Sequence, residues 1–86
     1  MIVEWTESAL DRLADIFVAA DLAEQDVFEV TVRRINATLA AGPDDLGESR
    51  LSGRRVWFAD PLTVVFRVIP TSGRVIVSHV AVRRRK

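Results

Sequence analysis

The side chains in this 86-residue chain best suited to act on a partner are arginines set in strand-like sequence, a tryptophan among them, and a single histidine. The stretch GRRVWFADPLTVVFRVIP, residues 53–70, is mostly apolar or β-branched, yet it holds Arg54, Arg55 and Arg67 beside Trp57. Guanidinium groups grip phosphates and carboxylates through paired N–H donors, and an aromatic ring between them offers a surface on which a base stacks. His79 is the one obvious acid/base candidate, because an ordinary imidazole titrates near neutral pH. A lone histidine in a strand is more commonly a structural residue. The sequence closes on Arg83, Arg84, Arg85 and Lys86, a basic tail.

Other chemistries are excluded by composition. With no cysteine there is neither a disulfide nor a thiolate metal site, which fits a reducing cytosol. One histidine cannot make a metal site by itself, and nothing implies a cofactor or a small-molecule substrate. No apolar run reaches the ~18 residues that suggest a membrane span. The opening MIVEWTES carries acids where a secretory signal would carry bases, so a cytoplasmic location is expected. A domain of this size has a thin core, so function is expected on a groove or an exposed face.

Net charge is zero, but the charges are segregated. Residues 1–48 hold three arginines against eleven acids, −8, whereas residues 49–86 hold nine bases against Asp60 alone, +8. A basic half of this kind suggests an anionic partner. The bland alternative is that acidic helices simply lie beside a basic sheet.

The elements that must position these residues follow from periodicity. Ile2–Trp5 reads as a short first strand. Thr6 or Ser8 caps a helix in which Ala9, Leu10, Leu13, Ile16, Phe17 and Ala20 form one apolar stripe, and Glu7, Asp11 and Asp15 form a solvated face. Asp21 with Glu24 resembles a capping box opening a second helix, Leu22 to Ala41. There Phe28, Val32, Ile35 and Leu39 make a packed seam, Glu29 can pair with Arg33, and Gly42-Pro43 is the stop. The two helices should form an antiparallel hairpin. Residues 42–53 read as loop. Three strands follow, Arg54–Phe58, Leu62–Ile69 and Arg74–Val82, joined by turns at 59–61 and 70–73. The expectation is a single α+β domain over 1–86, with the helix hairpin on one face of a three- to four-stranded antiparallel sheet.

Alternation along the middle strand sends Leu62, Val64, Phe66 and Val68 to one face and Thr63, Val65, Arg67 and Ile69 to the other. If the turn at 59–61 pairs Phe58 with Leu62, Val56 and Phe58 join the helix-covered set, and Arg55 and Trp57 join Arg67 on the open face. That face would bind a target or a nucleic acid, unless its arginines serve solubility alone. Pairing Ile69 with Arg74 places His79 opposite Val64 on the covered face. A one-residue bulge or a different turn would move it to the Arg67 face.

The ordered stretches VEWTESALDRLADI, INATLAAGP, GESR, GRRVWF, PLTVVFRV and RVIVSHVAVRRRK resemble the RelE/ParE superfamily of toxins of bacterial type II toxin–antitoxin systems. The resemblance covers nearly the whole chain. It implies a growth-inhibiting protein, of the kind linked to plasmid stabilisation, held inactive by a cognate antitoxin. RelE-like members cut mRNA in the ribosomal A site, whereas ParE-like members poison DNA gyrase. Where RelE-like members carry an arginine in a YRLVY-type middle strand, this chain has Thr63 in Leu62–Phe66, and it has no tyrosine at all. Arg67 lies four residues further along, on the same face, and Arg83 matches a basic position in or after the last strand. A metal-independent endoribonuclease would therefore rest on Arg67, His79 and Arg83. The SHVAVRRRK close resembles the ParE-like "HGRR" ending. The resemblance thus leans to a ParE-like toxin that binds a protein target such as gyrase through Arg54, Arg55, Trp57, Arg67 and the residues Arg83, Arg84, Arg85 and Lys86. The alternatives are a ribosome-dependent nuclease and an inactive homologue serving only as antitoxin partner and co-repressor. An acidic antitoxin segment crossing the basic sheet is the electrostatic match.

Overall fold

A five-stranded sheet with two helices on one face carries the chain, in the order β1 Ile2–Trp5, α1 Glu7–Ala19, α2 Leu22–Ala41, β2 Glu48–Ser49, β3 Arg54–Ala59, β4 Leu62–Ile69 and β5 Arg74–Val82. This is a computed structural model, and it describes residues 1–42, 48–49 and 53–83. The sheet order is β1-β5-β4-β3-β2. β3, β4 and β5 form the expected antiparallel meander, but β1 pairs with β5 in parallel, so the sheet is mixed rather than purely antiparallel. The parallel pairing follows from the path of the chain: both helices lie between β1 and the meander, a crossover long enough to bring β1 in alongside β5. The stretch read as loop also contributes the two-residue strand β2, paired with β3 at Val56 and Arg55.

Local signals account for the helix ends. The Thr6 hydroxyl accepts the Ala9 N–H at 3.2 Å, and Asp21 and Glu24 close a reciprocal capping box at the start of α2. Gln25 donates to the carbonyls of Phe17, which also accepts the Ala20 N–H, and of Ala20, reinforcing the end of α1. Phe17 meets Phe28 edge to face at 6.1 Å, which fixes the hinge between the helices. At the far end, the Trp5 indole N–H donates to Asn36 Oδ1 at 2.8 Å, tying α2 back to β1.

The core lies between the helices and one face of the sheet. Ile35 and Leu39 from α2 pack with Leu62, Val64, Phe66, Val75 and Val77, all completely buried. The seam predicted for α2 is the seam observed, with Phe28 buried and Val32 packed against it. In α1, Ala9 and Ile16 are buried and Leu13 and Phe17 pack against the core, as does Ala20 just past its end, but Leu10 is exposed and leaves the expected stripe. Glu7, Asp11 and Asp15 face solvent. Among the described residues, no helix is long and apolar enough to cross a membrane.

Candidate functional site

The turn between β3 and β4 decides which side chains reach the open face. Ala59 pairs with Leu62, so the turn consists of Asp60 and Pro61 alone, one residue shorter than expected. Because side chains alternate with a period of two, one residue of register turns the whole of β3 over. Arg55 stands opposite Phe66 and Trp57 opposite Val64, both on the helix-covered side. Trp57 is half-buried against the core. Arg54, Val56 and Phe58 face the other way, opposite Arg67, Val65 and Thr63. The expected grouping of Arg55 and Trp57 with Arg67 is therefore corrected.

β5 resolves the position of His79. Ile69 pairs with Arg74 across the 3₁₀ turn Pro70–Ser72, where Gly73 takes the left-handed conformation that closes the turn. The ladder is regular to Val77, opposite Phe66, and then shifts so that His79 stands opposite Val65. Ser78 is the extra residue of a β-bulge, and the bulge puts His79 on the exposed face with Arg67. The bulge also keeps the core continuous, since Val77 and Val80 both point inward with two residues between them. The His79 Nδ1 lies 3.3 Å from the Ser78 hydroxyl.

Two basic clusters result, one at each end of the open face. At one end Arg54 and Arg67 are direct cross-strand partners, and with Ile69, Ile76 and Ser78 they line an open depression of about 210 Å³. At the other end the Arg83 guanidinium lies 4.7 Å from the centroid of the Phe58 ring, 3.8 Å from the Asp60 carboxylate. The Arg83 N–H also donates to the Pro61 carbonyl at 2.7 Å, so the end of β5 is bound to the β3–β4 turn. A ring under a guanidinium and a carboxylate beside it hold that cation in place. Arg74, also on this side, is neutralised by Glu4 of β1 through a bidentate ion pair. Arg54, Arg67, His79 and Arg83 thus share one face, whereas Arg55 and Trp57 do not. Arg84, Arg85 and Lys86 lie outside the described residues.

Phe58, expected on the helix-covered face, and Asp60, Ile76 and Ser78, which sequence did not pick out, join the residues around this face. The signal for the first two was the Asp-Pro pair, which can close a hairpin unaided. The signal for Ser78 was the spacing of the β5 valines. On the helix side, a further depression of about 510 Å³ is lined by Ala23, Val27, Phe28, Pro61 and Val82, with Glu24 and Arg83 at its rim.

The architecture is shared with solved structures. A chain of the chromosomal ParDE toxin–antitoxin system from P. aeruginosa superposes with a TM-score of 0.67 at 21% identity, over 98% of this chain and 97% of that one. This chain has the RelE/ParE fold. The isolated E. coli RelE toxin superposes at 0.63 with 12% identity, over 99% of this chain and 86% of that one. A chain of the intact E. coli RelBE toxin–antitoxin complex gives 0.63 with 14% identity, over 98% of both chains. No family model matches the sequence, and no curated protein matches it. At these identities the likeness carries the fold, and function has to be argued from the site.

Proposed function

We propose that this protein is the toxin component of a bacterial type II toxin–antitoxin module, neutralised by a cognate antitoxin and acting by binding a protein target such as DNA gyrase. The observation that carries this reading is the open sheet face, which collects Arg54, Arg67 and Arg83 on a RelE/ParE fold without a complete cleavage constellation. Cutting RNA through its own 2′-hydroxyl needs a base, an acid for the leaving oxygen and cations for the developing charge. Thr63 occupies the position where RelE-like members carry an arginine, and the chain has no tyrosine. A binding face asks for none of that machinery.

The bulge supports a second reading. It places His79 on the same face as Arg67, so a variant, ribosome-dependent mRNA endonuclease built on Arg67, His79 and Arg83 has its groups on one side of the sheet. The two readings separate in cells. The chain expressed without antitoxin should arrest growth, and the His79→Gln variant should arrest it equally if the protein acts by binding. A sharp loss of arrest in that variant would favour the nuclease. Normal growth with soluble wild-type protein would remove both and leave an inactive antitoxin partner.

A further inference from the structure

On α2, Leu22, Val27 and Val30 are 81%, 50% and 58% exposed, although the solvent side of a surface helix is ordinarily polar. They lie away from the face that buries Phe28, Thr31, Ile35 and Leu39. Ala23, Val30 and Ala37, all exposed and spaced at sevens, form one stripe, because a helix drifts only ~20° per seven residues. Asp26 and Arg33 flank the stripe on one side, and Val27 and Arg34 flank it on the other. Arg34 reaches towards the β3–β4 turn, where it donates to the Asp60 carbonyl at 3.2 Å. Asp26 and Glu29 offset Arg33 and Arg34, so this face carries no net charge, unlike the acidic face of α1 or the basic open face of the sheet. A partner of one charge sign gains nothing here. A second copy of the chain does.

We infer that the outer face of α2 joins two copies of this chain as an antiparallel α2–α2 pair, with its two-fold axis at Val30. A two-fold interface must be self-complementary: if one residue faces another, the reverse contact is made as well. With Val30 against Val30 of the second copy, Ala23 meets Ala37, Leu22 covers Ala40, and Asp26 comes beside Arg33 on the same flank. On the other flank Val27 packs on the aliphatic stem of Arg34. Within one helix Asp26 and Arg33 are ~10 Å apart along the axis, so their pairing is set up for a second copy. Arg33 also lies 3.6 Å from Glu29 on its own helix, an exposed pair that contributes little and can be shared. A parallel pair would set Asp26 against Asp26 and Arg33 against Arg33, which selects the antiparallel sense. The alanines let the helix axes approach to ~8 Å. Contact from Leu22 to Ala40 runs ~27 Å, a small interface, so association should be reversible and half complete at roughly 100 µM. The open face lies on the far side of the sheet from α2, so pairing leaves it uncovered and the inference is independent of the toxin reading.

The test is sedimentation equilibrium of the full chain at low salt, over a concentration range from about 10 to 500 µM that brackets the expected midpoint. The wild-type mass should rise from the monomer value towards twice that value. Val30→Glu sets a carboxylate against its own copy on the two-fold axis and should hold the chain monomeric. D26R and R33D should each weaken association at least tenfold. The exchanged double variant D26R/R33D restores the opposite charges and should return to within about threefold of wild type. All the substituted positions are exposed, and circular dichroism should show every variant as helical as the wild type. A wild-type chain that stays monomeric over the whole range would overturn the inference and leave the face to a different partner. Association unchanged by Val30→Glu would overturn it too, since the contact would then lie elsewhere. So would a double variant no better than its single parents, because the charges would then not meet across a two-fold axis.

Discussion

Trp57 and Phe58 are sequence neighbours on opposite faces of β3, so truncating each should cost a different amount. Trp57 packs against the core, and Trp57→Ala should lower unfolding free energy by about 2–4 kcal/mol. Phe58 is 45% exposed and loses mainly its contact with Arg83, so Phe58→Ala should cost about 1 kcal/mol or less. Urea unfolding measures both, and equal costs would contradict the register found for β3. Asp60 holds Arg83 at a half-exposed position, where ion pairs contribute little to stability. Asp60→Asn should therefore leave the midpoint nearly unchanged while releasing Arg83 from its place over Phe58. An unfolding midpoint that fell markedly would show that the turn, and not the guanidinium, depends on Asp60.

At the scale of elements, the helices and the order of strands were readable because each carried its own local signal. The capping box at Asp21 and Glu24 is present, and Asp21→Ala should cost about 1 kcal/mol in the same measurement. The α2 seam, the bounds of β4 and β5 and the closing Gly73 all followed from periodicity and turn chemistry. What escaped was register. Val56, Trp57 and Phe58 are three apolar residues in a row, so alternation gives β3 no preferred face, and a turn of two residues instead of three reversed it. β5 did carry a signal for its bulge. Val75 and Val77 lie on one phase of alternation and Val80 and Val82 on the other, so a regular strand would have exposed one pair. The candidate site was accordingly half legible: Arg54, Arg67 and Arg83 reach the open face, His79 reaches it by the alternative that required a bulge, and Arg55 and Trp57 lie behind it. The parallel docking of β1 was invisible because it depends on where the helix crossover returns the chain.

At the scale of the molecule, the zero net charge is divided between acidic helix surfaces and a sheet whose open face is basic at both ends. Binding through that face should weaken steadily as salt is raised, since exposed charges are screened within about 10 Å at 0.1 M. It should also tolerate changes on the helix flank better than changes on the sheet. In cells, the double variant R54E/R67E should lose growth arrest while remaining folded, whereas Asp11→Asn on α1 should not. The most direct measurement is controlled expression of the wild-type chain in a bacterial host without antitoxin, reading mRNA 5′ ends and plasmid topology from the same arrested cells. A binding toxin aimed at gyrase predicts DNA breaks or altered supercoiling with translated mRNA intact. New cuts in translated mRNA with unchanged topology would contradict it.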